Sequence, residues 1–393
     1  MLPEKTLGWG LSRSCIRTLS EYGAVRKAEI GAENVFDFSL GNPSVPAPEC
    51  VNKAIIDIIH EQGDTIHAYT TAAGVPSLRQ KIADDYNARF NSDLIPEGIY
   101  VTCGAASGLA ASLRAVLMPG DEVMVMAPFF PEYRVFAEAS GGELVIVPPT
   151  EDMQVDTEAF KSLLSAKTKA VIINSPNNPS GVVLSEECVD TICSILRQHE
   201  EETGNTVYII SDEPYRELVF GYTTVPSIIN KYDDTIMCYS FSKSMSLPGE
   251  RIGYVAVTKR MNDWQNVYAG IMGAARALGY VNPPSLLQRV IERCLGTFSD
   301  IAQYEANRDF ICSELSKMGY QFPIPKGAFY LFVKSPSGDG NELSERAKKH
   351  ELLLVPSDDF GVKGYVRISY CVSRDTIERS LPAFRALMSE YIG

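Results

Sequence analysis

Four near-continuous apolar runs, ELVIVP (143–148), KAVIIN (169–174), TVYIIS (206–211) and TIMCYS (235–240), recur through the middle of the chain. Each is strand-length and rich in β-branched or aromatic residues, and each stays apolar on successive positions instead of alternating. Strands of that kind are buried on both faces, so the pattern predicts a mostly parallel α/β sheet. DEVMVMAP (121–128) and IYVTCG (99–104) add two more strands. Between the strands the apolar period lengthens. Residues 51, 54, 55, 58 and 59 share one helix face, Ser185 to His199 is amphipathic, and helices are predicted to start at Pro76, after Gly104 and after Pro131. Ahead of these lies an entry arm, helical over Ser14 to Ile30 with a short strand over Val35 to Leu40.

After about residue 285 the pattern changes. Pro284 to Gly296 and Asp300 to Lys317 read as helices. Short strands follow at Phe329 to Val333, Leu352 to Val355 and Val366 to Tyr370, with a terminal helix over Arg374 to Tyr391. This is an α+β segment, and the 393 residues suggest roughly two to three domains with short linkers, without repeats or low-complexity tracts.

Charge and composition narrow the partners. A net charge of −13 argues against nucleic acid and anionic membranes, leaving small ligands held by local arginines. Nine scattered cysteines without a C-x-x-C, and four histidines without metal-ligand spacing, read as free thiols in a reducing compartment and no metal site. No stretch reaches transmembrane length, and MLPEKTLGWGLSRSC lacks the apolar core of a signal peptide, so the expected location is cytoplasmic.

The chemistry gathers around MCYSFSKSMSLPGERIGYVAV (237–257), where Lys243 sits in a polar loop between two apolar strands. A lysine held there loses solvation, its ammonium form is disfavoured, and its amine becomes a nucleophile fit for a Schiff base. Ser240 and Arg251 supply a hydroxyl and a planar cation, a pair suited to a phosphate monoester. The Gly104-Ala105-Ala106 turn opens a helix with uncrowded N–H groups, a second phosphate seat. Upstream, a strand ends at Asp212 with Tyr215 three residues on. Downstream, Arg367 lies inside an apolar strand, and Gly41 in GNPS allows close approach to the backbone.

Taken together, Asn-Pro-Ser-Gly (178–181), Asp-x-x-Tyr (212–215), Ser-x-Ser-Lys (240–243) with Arg251 eight residues beyond, and the late strand arginine resemble the class I/II aminotransferases of fold type I. The resemblance runs from GNPS (41–44) to RISY (367–370). It implies a large domain (44–295) with a mostly parallel seven-stranded sheet sandwiched by helices, and a smaller α+β domain built from 1–43 and 296–393. It also implies pyridoxal 5'-phosphate as cofactor, an L-α-amino acid and a 2-oxo acid as substrates in a ping-pong transamination, and a homodimer with composite sites.

The resemblance assigns roles as well. Lys243 forms the internal aldimine and moves the substrate proton. Asp212 pairs with the ring nitrogen, and Asn178 and Tyr215 donate to the 3-oxygen. Phe130 lies on the ring. Ser240, Arg251 and the amides near Ala105 and Ala106 hold the phosphate, with Tyr69 reaching it from the neighbouring subunit. Arg367 grips the α-carboxylate, with Gly41 and Asn178 beside it. One departure stands out. Where an aspartate-specific branch carries a distal-carboxylate lysine, this chain has Ala106, so Arg276 of either subunit is the substitute cation to consider. A C–S β-lyase on the same site, or a cofactor-binding sensor without turnover, are the alternatives.

Overall fold

A computed structural model describes residues 2–11 and 14–392. Its strands, in chain order, are β1 (Phe36–Asp37), β2 (Ile99–Thr102), β3 (Glu122–Met126), β4 (Glu143–Val147), β5 (Thr168–Asn174), β6 (Tyr208–Asp212), β7 (Thr235–Ser240), β8 (Gly253–Ala256), β9 (Tyr330–Lys334), β10 (Leu352–Leu353), β11 (Val355–Pro356) and β12 (Tyr365–Ser369). Seven of them form one sheet in the order β2-β8-β7-β6-β5-β3-β4. It is parallel except where β8 runs antiparallel to both β2 and β7.

The unbroken apolar runs are explained by the layers on each face. Alternate residues of the strands point to opposite sides. Val123, Val125, Ile172, Ile210 and Cys238 pack on one side under helix Ala105–Val116. Met124, Val171, Ile173 and Ile209 pack on the other under helix Glu186–Thr203. Helix Trp264–Leu278, not among the helices expected above, lies against Ala105–Val116 as an outer layer.

Beyond the large sheet, β11, β12 and β9 form an antiparallel sheet, and β1 pairs in parallel with β10. Helices Ala302–Lys317 and Arg374–Ile392 cover this second body. Tyr215, Leu218 and Phe220, just past β6, enter its apolar cluster and join the two bodies.

Three local expectations are corrected. The strand expected over Val35 to Leu40 shrinks to Phe36–Asp37, because the Asp37 carboxylate accepts from the Ser39 N–H (3.0 Å) and hydroxyl (2.6 Å) and turns the chain. The strand expected over Leu352 to Val355 splits at Leu354. Its first half pairs with β1 and its second with β12. The polar loop carrying Lys243 is a single helical turn, Phe241–Ser244, capped by the Ser240 hydroxyl, which accepts from the Ser242 N–H.

Among the described residues no helix is long and apolar enough to cross a membrane, and no cluster of His, Cys, Asp and Glu is arranged to hold a metal.

Candidate active site

Strand register places the site. Asn174 at the end of β5 pairs with Asp212 at the end of β6, and Ser240 ends β7 opposite Gly253. The carboxyl ends of adjacent parallel strands therefore open on one crevice, where ligands of open α/β sheets bind. A cavity of about 280 Å³ lies there. Gly41, Ala105, Ala106, Phe130, Asn178, Asp212, Tyr215, Ser240, Lys243, Arg251 and Arg367 all line it. Eleven of the twelve residues expected from the sequence are thus brought together. The exception is Tyr69, fully exposed and away from this cavity. Arg276 is also exposed, outside the cavity lining.

Lys243 projects from its capped turn, and its Nζ donates to the Gly41 carbonyl at 2.7 Å. Burial lowers its pKa from the usual lysine value to about 8, with Arg367 and Arg251 pushing the same way and the Cys371 thiol opposing. Its amine is therefore poised near neutrality as nucleophile or base.

Asp212 is buried with only one oxygen satisfied. Its Oδ2 accepts from the Tyr133 hydroxyl at 2.5 Å, while Oδ1 has no hydrogen-bond partner among the described residues. Burial raises its carboxyl pKa to about 7, against the pull of the Tyr133 bond. A buried carboxylate with a bare oxygen fits a cationic N–H donor.

At the phosphate end, Arg251 takes a left-handed backbone conformation (φ 51°, ψ 57°), and its guanidinium donates to the Pro248 carbonyl at 3.0 Å. Gly104, at φ +83°, caps helix Ala105–Val116, and a Cβ there would lie 3.0 Å from Arg251 Nη2. The Arg251 guanidinium thus lies at the start of this helix, where its Nη2 also donates to the Cys103 carbonyl at 3.5 Å. Together with the Ser240 and Ser242 hydroxyls, 2.8 Å apart, these make an anion cradle.

At the opposite end, buried Arg367 donates from Nη1 to Asn178 Oδ1 (3.0 Å) and from Nη2 to the Ser39 carbonyl (2.5 Å). Its Nε has no partner among the described residues. Since Asn178 Oδ1 is occupied, its amide NH₂ is the group left to donate into the cavity. Asn174 and Asn177 are turn-holders. Asn174 Nδ2 donates to the Asp212 carbonyl, and Asn177 Oδ1 accepts from Ser180.

Four residues escaped the sequence reading. Tyr133 lies within the P-x-aromatic-P-x-Tyr stretch that singled out Phe130, whose ring meets it edge-on at 5.7 Å. Ser242 adjoins the lysine. Ile16 and Tyr330 also line the cavity, but an isolated isoleucine on the entry helix and a tyrosine inside an apolar strand carry no signal to separate them from core.

The model of the family "Aminotransferase class I and II" matches residues 33–384. The chain belongs to that family, whose members use pyridoxal 5'-phosphate, and it is a transaminase dependent on that cofactor. The described residues fit the group. The bare Asp212 oxygen, the lysine of lowered pKa and the anion cradle share one cavity. Similar proteins include the aspartate aminotransferase of Thermotoga maritima, 30% identical over 94% of this chain and 96% of its own. Another is the (5-formylfuran-3-yl)methyl phosphate transaminase of Methanocaldococcus jannaschii, 30% identical over 93% and 94%. A solved amino transferase from Eubacterium rectale superposes with a TM-score of 0.97 at 45% identity, covering all of both chains.

Proposed function

We propose that this chain transfers the amino group of an L-α-amino acid to a 2-oxo acid in a ping-pong cycle, with Lys243 as the acid–base and Schiff-base residue. The observation that carries the reading is the bare Oδ1 of buried Asp212, facing the same cavity as Lys243 and Arg367. When bound, pyridoxal phosphate supplies an electron sink at its protonated ring. The chain does the rest. Asp212 would hold the ring-nitrogen proton, Asn178 and Tyr215 would donate to the 3-oxygen, and Phe130 would flank the ring. Ser240, Arg251 and the first amides of helix Ala105–Val116 would hold the phosphate. Arg367, beside Gly41, would hold the α-carboxylate as a two-point fork and so orient the substrate for Lys243 to act as base on the Cα proton.

The working unit is a cytoplasmic homodimer with composite sites, in which Tyr69 completes the partner's phosphate cradle. Its full exposure in the single chain supports that role. Residues 44–295 form the cofactor domain, with 1–43 and 296–393 closing against it.

The side-chain preference is open to measurement. Relatives with different named substrates are equally similar, and the lining cations Lys243, Arg251 and Arg367 already have roles. An amino-donor panel with 2-oxoglutarate as acceptor tests the reading. Turnover requiring both substrates supports it, whereas ammonia and pyruvate released from one substrate would make the enzyme a β-lyase. Binding without turnover would make it a sensor.

A further inference from the structure

Tyr330 opens β9 opposite Ser369 and is 2% exposed, the environment of a core aromatic, yet its hydroxyl reaches the cavity. Gly41 makes this possible, since a Cβ at that position would lie 2.0 Å from the Tyr330 oxygen. The hydroxyl is 2.8 Å from that of Tyr215, and among the described residues neither has another hydrogen-bond partner. Two phenols sharing one hydrogen bond use one proton between them. The other proton remains for a third group, and the direction of the shared bond decides which phenol offers it. The guanidinium of Arg367 lies 4.7 Å from the Tyr330 ring centroid. A cation over its ring polarises the Tyr330 O–H and makes it the better donor. Burial raises both phenols, Tyr330 to about 12 and Tyr215 well above its ordinary value, so both are protonated near neutrality.

We propose that Tyr330 is a positioning residue whose hydroxyl donates to Tyr215, so that the Tyr215 proton is held out toward the cofactor's 3-oxygen, while its ring braces Arg367. This rests on the functional reading above, in which Tyr215 donates to that oxygen. Such a donor favours the deprotonated 3-oxygen and lowers the pH midpoint of the cofactor's visible absorption band. Weakening it raises the midpoint.

The test is a pH titration of that band in the holoenzyme and in Tyr330→Phe, Tyr215→Phe and the double variant. Tyr330→Phe removes one oxygen and keeps the ring. It should raise the midpoint by roughly 0.3–0.5 pH unit, with Tyr215→Phe raising it by about one unit. The double variant should match Tyr215→Phe alone, because Tyr330 acts through Tyr215. KM for the amino donor should stay within about twofold in Tyr330→Phe and rise about fivefold or more in Tyr330→Leu, where Arg367 loses its aromatic brace. An unshifted midpoint in Tyr330→Phe, or an additive shift in the double variant, would overturn the proposal. A raised KM in Tyr330→Phe would do so too, by making the hydroxyl a substrate contact. If wild-type protein shows no visible band with added pyridoxal phosphate, the functional reading itself falls. A wild-type band that fails to shift in Tyr330→Phe sinks only the role of Tyr330.

Discussion

The Tyr133 hydroxyl donates to Asp212 at 2.5 Å and satisfies one carboxylate oxygen while the other stays bare and buried. The bond fixes the carboxylate plane and leaves Oδ1 as the single acceptor presented to the cavity. That arrangement separates the roles of the two residues. Asp212 supplies the charge, and Tyr133 supplies its aim.

Asp212→Asn should therefore retain cofactor but lose on the order of 10² to 10³ in kcat, because a neutral amide cannot hold the ring-nitrogen proton. Tyr133→Phe keeps the charge and should cost only about tenfold, equivalent to one pKa unit of about 1.4 kcal/mol. Steady-state kinetics on both variants checks the order. A near-normal rate in Asp212→Asn would reduce that residue to a structural acceptor.

Lys243 carries its own pH signature. Its pKa is lowered to about 8 from the usual lysine value of 10.5 because the buried ammonium is poorly solvated. The neutral amine is thus half populated near pH 8, where exposed lysines remain almost wholly protonated. In cofactor-free protein, acylation of Lys243 should rise through a midpoint near pH 8, followed by peptide mapping. In loaded protein, borohydride should leave its tag on Lys243, and Lys243→Ala should abolish the visible band with the fold intact. A tag on any other lysine defeats the assignment.

Arg367 is held by Asn178 and Ser39 and sits between the rings of Tyr330 and Phe360, at 4.7 and 5.4 Å from their centroids. Arg367→Lys keeps the charge but loses the planar fork and its stacking. The expected loss is roughly 3–4 kcal/mol, or on the order of 10² to 10³ in kcat/KM, carried mainly by KM. An unchanged KM for the amino donor would remove Arg367 from the substrate site.

Much of this was legible in the sequence because the signals were local. Apolar runs without alternation identified doubly covered strands, and Ser240, Lys243 and Arg251 lie within one strand-turn-strand unit. What stayed hidden depends on long-range register. Tyr330 becomes a site residue only because β9 pairs with β12 and Gly41 leaves room for its hydroxyl, a relation across almost 290 residues of chain. Asp37 bending its own strand and Leu354 splitting another are side-chain and topological effects that hydrophobic periodicity does not encode.

The composite site makes the last prediction. Tyr69 is fully exposed, and exposed Leu278, Tyr280 and Val281 lie on the nearby segment. That segment is tied to the Tyr69 loop by Asn282, whose amide donates to the Thr70 hydroxyl at 2.7 Å. Four large side chains left exposed on adjoining segments, two of them tyrosines, suit a two-fold interface, where obligate dimers bury large apolar areas. In such a dimer each Tyr69 serves the partner's cradle. Lys243→Ala and Tyr69→Phe chains, mixed and refolded together, should then give hybrids in which one site carries both lesions and the other carries neither. Near wild-type cofactor affinity should return in about half the sites of the hybrid, although neither parent has it together with turnover. If Tyr69 instead served its own chain, every hybrid site would carry one lesion and no wild-type site would appear. A monomer that turns over at high dilution would defeat the composite site outright, and sedimentation across the same concentration range distinguishes it.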